Sequence, residues 1–414
     1  MTDADERNPA AVHQLRRLEP LQHAIGNGRA PEHQSARGRD VTANASATAA
    51  TSGADKKSLL IAGGGTGGHV FPAIAVAREW LRREPEGARS VVIVGTESGM
   101  EARLMPQAGL PLETIRVAGL KGMGGAKLVR NLAKLPAGLW DSEKIVRRHN
   151  FNVAFGVGGY ASGPMILAAR FHGVPAMIFE PNVEPGFTNR VLAGMANRVA
   201  CGFAETAKRF GPRAVATGIP VRHEFFSIAR KEHREPFSIL ITGGSRGALP
   251  INRAVVDSLD VLATRKNQVF IVHQTGERDY NAVRVAYARR EFRAEVVPFI
   301  ENMAERFAQA DLILCRSGAI TTAEVAAAGR AAIFVPFGAA TDAHQTRNAE
   351  AMQNAGAARL LPQQELTPER LTKEIFTLLD QPRRITEMDE QARRLARPRA
   401  VEDIVDLLEG LVRA

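Results

Sequence analysis

Only two cysteines, Cys201 and Cys315, occur in the 414 residues. That is too few for a disulfide framework or a cysteine zinc site, and a reducing cytoplasm is the expected setting. Aromatics are sparse, with three Tyr and two Trp. None interleaves with basic residues as a nucleic-acid platform requires, so no nucleic-acid partner is expected despite a net charge of +10. Long apolar runs are also missing. The longest uncharged stretches, Ser58 to Ala77 and Phe151 to Ala169, are broken by clustered Gly and by Pro, which argues against a membrane span and leaves peripheral contact. The N-terminus has no apolar core between its charges, so no secretory signal is expected. Residues 1–57 contain no Phe, Tyr or Trp and are expected to form a disordered extension. His13, His23 and His33 within it are too widely spaced to suggest a metal site.

What is present suits a folded enzyme: 45% hydrophobic and 24% charged residues are enough for two packed cores. From Ser58 onward an apolar strand, a glycine loop and a helix recur. Ser58 to Ala62 enters GGGTGGH (Gly63 to His69), and Phe151 to Phe155 enters GVGGYASGP (Gly156 to Pro164). Further strands are expected at Val91 to Val94 and at Ala176 to Phe179, the latter before Glu180-Pro181-Asn182. The opening repeats when Phe237 to Thr242 enters GGSRGA (Gly243 to Ala248). Strands at Val269 to His273, Glu295 to Pro298, Asp311 to Cys315 and Ala332 to Val335 would complete a second sheet. This alternation predicts an α/β protein with two Rossmann-like domains facing a cleft. The expected divisions are a first domain at 58–221, a hinge from Gly218 toward Pro236, a second domain at 222–398, and a last helix within 399–414 that packs back on the first domain.

The first loop contains G-x-G-x-x-G (Gly63, Gly65, Gly68) and lacks the Lys-Ser/Thr ending of a P-loop. Such loops bring backbone N–H groups and a helix N-terminus to an anion. Two of them suggest two phosphorylated ligands, whereas a nicotinamide-dependent oxidoreductase needs one cofactor loop. In the block from Arg316 to Ala349, a turn at Ser317-Gly318-Ala319 opens a helix carrying Glu324, placed to accept ribose hydroxyls.

These motifs, with EPNVEPGFTNR (Glu180 to Arg190) and GIPVR (Gly218 to Arg222), are co-linear from Ser58 onward. In order and spacing they closely resemble the lipid II-forming N-acetylglucosaminyltransferases of bacterial peptidoglycan synthesis. The resemblance implies a B-type, inverting transferase without a cofactor. It would move N-acetylglucosamine from UDP-N-acetylglucosamine to the C4 hydroxyl of undecaprenyl-diphosphate-linked muramoyl-pentapeptide, as a peripheral enzyme on the cytoplasmic face of an anionic inner membrane. A diacylglycerol sugar transferase is the related alternative.

Carried over by position, the resemblance implies that Ile300 reads uracil through its backbone and Glu324 binds the ribose. Ser245 and Arg222 meet the diphosphate, while Ala319, Ile320 and Thr321 lie along diphosphate and sugar. His344, Gln345 and Asn182 face the hexose. Thr66, Gly67 and Gly68 join the donor set, with Thr66 and His69 turned to the reacting hydroxyl and acceptor diphosphate. Gly158, Gly159 and Tyr160 fall on the acceptor side. The chain departs from the family at Pro181, at Ile219 and at His344, where relatives often carry Gln, Asn and Gln.

His69 is the expected general base, since an imidazole titrates near neutrality, with Glu101 and Asp342 in reserve. No Asp-x-Asp stands at a strand end, so no metal is expected. Leu128 to Trp140, with Arg130 and Lys134 inside it and Lys121 and Lys127 before it, reads as the membrane face.

Overall fold

The computed structural model describes residues 56–65, 67–84, 87–117, 135–337 and 343–413. The first half alternates β1 (Lys57–Gly63), α1 (Gly67–Arg82), β2 (Arg89–Gly95), α2 (Glu101–Gln107), β3 (Leu112–Thr114), α3 (Leu135–Arg148) and β4 (Val153–Gly158). It continues through α4 (Ser162–Phe171), β5 (Ala176–Glu180), α5 (Phe187–Ala193), β6 (Arg198–Cys201), α6 (Ala204–Phe210) and β7 (Ala214–Ala216). These strands form one parallel sheet in the order β3-β2-β1-β4-β5-β6-β7.

After α7 (His223–Phe226) the second half runs β8 (Phe237–Thr242), α8 (Leu249–Asp257), α9 (Leu259–Leu262), β9 (Val269–Gln274), α10 (Tyr280–Arg289) and β10 (Ala294–Val297). Then come α11 (Met303–Gln309), β11 (Leu312–Cys315), α12 (Ala319–Ala328), β12 (Ala332–Phe334), α13 (Ala343–Asn354), β13 (Ala358–Leu360), α14 (Pro368–Leu379), α15 (Pro382–Leu395) and α16 (Ala400–Arg413). The second sheet is parallel, in the order β10-β9-β8-β11-β12-β13.

The central strands are continuous apolar runs because helices cover both of their faces. Along β1, Leu59 and Ile61 join Trp80 of α1 in one core, while Leu60 and Ala62 join Met165 and Ile166 of α4 in another. In β8, Ile239 and Ile241 pack with Ile251 of α8, and Leu240 packs with Phe307 of α11 on the other face.

Four short strands fall outside the sequence expectation: β3, β6, β7 and β13. Two other differences concern length. The strand expected at 151–155 lies at Val153–Gly158, so Gly156 to Gly158 are sheet where a loop was expected. The single helix expected after the second glycine loop is split at Ser258, whose hydroxyl donates to the Ala254 carbonyl at 2.6 Å.

After the second sheet the chain returns to the first. Ile404, Val405 and Leu408 of α16 are fully buried in the core that holds Trp80. Arg83 bonds the Glu402 carbonyl at 2.9 Å, and Arg89 pairs with Glu409 at 2.7 Å.

Candidate active site

In a doubly wound sheet, functional groups collect beyond the carboxyl ends of the strands. At that end of the first sheet two glycine loops meet: the Gly64 N–H donates to the Gly158 carbonyl at 3.3 Å. Gly158 has φ +96°, and a Cβ there would lie 2.8 Å from His69 Nε2. Only glycine lets the ring sit so close to that backbone.

His69 stands in the first turn of α1 beside Gly67 and Gly68. Its Nδ1–H donates to the Gly64 carbonyl at 3.0 Å, because a carbonyl can only accept. In the neutral ring, therefore, Nε2 carries the lone pair. Burial pushes the His69 pKa below its ordinary 6.5, against the opposing pull of the Gly64 carbonyl and of the Glu180 and Glu101 charges.

Glu101 is not a reserve base. Its carboxylate is fully buried and accepts from the Gly65 N–H at 2.7 Å and from the Thr96 N–H and hydroxyl, both at 2.8 Å. The first residue of α2 thus turns inward beneath the loop and braces it. Thr66 and Asp342 lie outside the described residues, as do Lys121, Lys127 and residues 128–134 of the expected membrane face.

Glu180, the last residue of β5, is a second buried carboxylate. Its oxygens accept from Asn182 N and Nδ2 at 3.0 Å each, from Gly186 N at 2.9 Å and from Asn189 Nδ2 at 2.8 Å. It thereby folds the EPNVEPG loop around itself.

In the second lobe the Gly243 to Gly247 loop follows β8. Gly247 has φ +71°, and a Cβ there would lie 1.8 Å from the Thr275 carbonyl oxygen, so this turn also requires glycine. Ser245 is exposed on the loop. The N-terminus of α12 carries no side-chain cap, and the space beside Gly318 is open, which leaves its first N–H groups for an anion. Ala319 is buried in that turn, Ile320 and Thr321 are half-buried, and Ile300 is buried after β10.

One turn further along α12, Glu324 accepts from Arg222 Nη2 at 3.3 Å. Arg222 also lies 3.4 Å from Glu224 and stacks 4.9 Å from the Phe225 ring centre. Burial raises the Glu324 pKa from its ordinary 4.5 to about 7, with Arg222 opposing the rise.

The carboxyl ends of the two sheets face each other. His344 Nδ1–H donates to the Glu184 carbonyl at 2.7 Å across the cleft, and Asn348 bonds both Asn182 and Ser317. Gln345 Oε1 accepts from the Phe337 N–H at 2.9 Å. The structure thus brings together His69 with Gly158, Arg222 with Glu324, and Asn182 with the α13 start. Tyr160 is half-exposed beside the first-lobe loops. Glu180, Ser317 and Asn348 were not singled out by sequence. Asn348 carries a legible signal, because it shares the buried face of α13 with Ala349 and Met352, where an amide must be bonded.

Comparison with known proteins agrees with this arrangement. Residues 59–201 match the glycosyltransferase family 28 N-terminal domain and residues 238–404 the family 28 C-terminal domain. The chain is 43% identical over 357 residues to a "UDP-N-acetylglucosamine--N-acetylmuramyl-(pentapeptide) pyrophosphoryl-undecaprenol N-acetylglucosamine transferase" of Myxococcus xanthus, covering 86% of this chain and 93% of that one. A Geobacter sulfurreducens protein of the same description is 44% identical, with 84% and 97% covered. Among solved structures, Acinetobacter baumannii MurG superposes with a TM-score of 0.71 at 34% identity, covering 86% of this chain and 99% of that one. A UDP-GlcNAc 2-epimerase from Neisseria meningitidis, at 12% identity and a TM-score of 0.63 over 86% and 100%, shares the fold.

Proposed function

This chain belongs to glycosyltransferase family 28, and we propose that it carries out the reaction named in its relatives, moving N-acetylglucosamine from its UDP form to undecaprenyl-diphosphate-linked muramoyl-pentapeptide. The observation that carries this reading in the structure is the pair of glycine loops at the facing carboxyl ends of two parallel sheets. One loop holds the His69 ring through its Nδ1–H, and the other lies beside an uncapped helix that carries the Glu324 carboxyl one turn along.

The second lobe takes the donor. The α12 N-terminus and the Gly243 to Gly247 loop hold the diphosphate with Ser245 and Arg222, Glu324 accepts from the ribose, and the Ile300 backbone meets uracil. The first lobe takes the acceptor diphosphate at Gly158, Gly159 and Tyr160. His69 Nε2 removes the proton of the C4 hydroxyl as that oxygen attacks the anomeric carbon from the face opposite UDP. The anomeric C–O bond to UDP breaks, its electron pair leaves with the phosphate, and the sugar configuration inverts. Charge growing on UDP is met by the N–H groups and Arg222.

The direct test is transfer of radiolabelled N-acetylglucosamine from UDP-N-acetylglucosamine to a short-chain analogue of the muramoyl lipid, with UDP-glucose and diacylglycerol as controls. Turnover with diacylglycerol and none with the muramoyl lipid would sink the proposal.

Glu324 supplies a second check. Losing a charged hydrogen bond to ribose costs about 1.5–3 kcal/mol, so Glu324→Ala is expected to weaken UDP binding roughly ten- to hundredfold, read by calorimetry. The raised pKa gives the wild type a pH signature. Below about 7 the carboxyl is largely protonated, and UDP affinity rises as pH passes through that value. In the empty protein the sign is opposite: this carboxyl's contribution to stability is present below 4.5 and lost as pH rises through about 7. Glu324→Gln is expected to flatten both dependences.

The lipid acceptor calls for peripheral membrane contact. Among the described residues no helix is long and apolar enough to cross a membrane. Trp140 is 61% exposed on α3, and Lys144 Nζ lies 5.6 Å from its ring centre. Such an aromatic and basic surface suits an anionic interface. Cosedimentation with anionic vesicles at low salt is expected to fall in Trp140→Ala, and equal sedimentation of both proteins would remove Trp140 from this role.

A further inference from the structure

The two lobes are joined across the cleft by one completely buried amide. Asn348 is 0% exposed. Its Oδ1 accepts from the Val183 N–H at 3.0 Å, and its Nδ2 donates to the Ser317 carbonyl at 3.2 Å and to Asn182 Oδ1 at 3.1 Å. Backbone polarity fixes which way this amide faces, since an N–H can only donate and a carbonyl can only accept. Both Nδ2 hydrogens are then used, so the atom of Asn182 that meets Asn348 must be its oxygen. At its other end the Asn182 amide is held by the Glu180 carboxylate, which accepts from Nδ2 at 3.0 Å. One N–H of Asn182 has no partner among the described residues.

We propose that Asn348 is a positioning residue that orients the Asn182 amide so that it presents this N–H donor to an oxygen of the donor hexose. The proposal rests on the reading of Asn182 as a hexose contact. Because Asn348 and Ser317 belong to the second lobe while Asn182 and Val183 belong to the first, the orientation also depends on the lobes holding this arrangement. With Asn348 removed, Asn182 keeps its bond to Glu180 but loses the partner that fixes its oxygen, and the free N–H no longer has one direction.

The test compares the full-length protein with Asn348→Ala, Asn348→Ser, Asn182→Ala and the double variant Asn182→Ala with Asn348→Ala. KM for UDP-N-acetylglucosamine, kcat and the affinity for UDP alone are measured for each. A hydroxyl at 348 can meet Val183 N but is too short to reach Asn182 as well, so Asn348→Ser is the better-folded version of the same lesion. The expected result for both variants at 348 is a KM raised about tenfold, the usual effect of one misdirected polar contact, with kcat nearly unchanged and UDP affinity as in the wild type. The double variant is expected to be no worse than Asn182→Ala, because two residues acting through one contact are not additive. A merely structural role would weaken UDP and the UDP-sugar alike, and that result would overturn the proposal, as would additive effects. Asn182→Ala separates the two layers. If its KM is unchanged, the hexose contact fails and the proposal with it; if its KM rises while that of the 348 variants does not, the orienting role alone is overturned.

Discussion

Replacement of His69 by alanine is expected to lower kcat by about 10²–10⁴, the range for loss of a positioned general base, while UDP affinity stays at the wild-type value. The ring supplies two separable properties. Its Nδ1–H bond to the Gly64 carbonyl selects the tautomer with a lone pair on Nε2, and burial holds the ring neutral below its ordinary 6.5. A base must be deprotonated to act, so the acid limb of kcat/KM is expected to rise through a pKa below 6.5 and to be missing in the residual activity of His69→Ala. A variant with near-normal turnover, or an unchanged acid limb, would remove His69 as the base. His69→Gln gives a further separation, because a side-chain amide can still bond a carbonyl or a phosphate but cannot accept a proton at neutral pH.

The largest structural effect is expected at Glu180. Four N–H groups converge on its carboxylate, from Asn182, its own side chain included, Gly186 and Asn189. Glu180→Ala leaves them without an acceptor in a place where the parent side chain is 1% exposed. Each orphaned donor costs about 1–3 kcal/mol, and partial entry of water limits the total to about 3–5 kcal/mol, near the loss on breaking a buried charged network. Hydrogen exchange reads this locally: the Asn182 and Gly186 amides are expected to lose protection, while those of β8 and β11 keep theirs. Glu180→Gln is expected to recover part of the loss, because its one oxygen serves one side and its NH₂ opposes the other. Unchanged protection at Asn182 in Glu180→Ala would contradict the assignment.

The two buried carboxylates show where the sequence was readable and where it was not. β1, β4, β5, β8 and β11 stand out in the sequence because strands covered on both faces read as nearly continuous apolar runs. The three-residue strands Leu112–Thr114, Ala214–Ala216 and Ala358–Leu360 are the outer strands β3, β7 and β13, covered less fully and too short to show a period. The glycine loops also stand out, because few roles need so many N–H groups unobstructed. What the glycines conceal is the brace beneath them. Glu101 follows a strand in a polar loop, as a catalytic acid would, and only the fold reveals that its oxygens are filled by Gly65 and Thr96. Glu180 is likewise one letter in a motif until Asn182, Gly186 and Asn189 are brought round it. Carboxylates that organise backbone and carboxylates that do chemistry use the same residues at the same strand ends, and they differ only in whether an oxygen is left over.

The position of α16 has a consequence for how the molecule is made. Ile404, Val405 and Leu408 complete the same core as Leu59, Ile61 and Trp80, yet the whole second lobe separates them from it in the chain. A chain emerging from the ribosome can close its second lobe around β8 to β13 as soon as α15 is out, whereas the first lobe keeps an open apolar face until α16 has followed. The lobe made first is therefore finished after the second, and a chain lacking α16 would keep a permanently uncovered core in its first lobe.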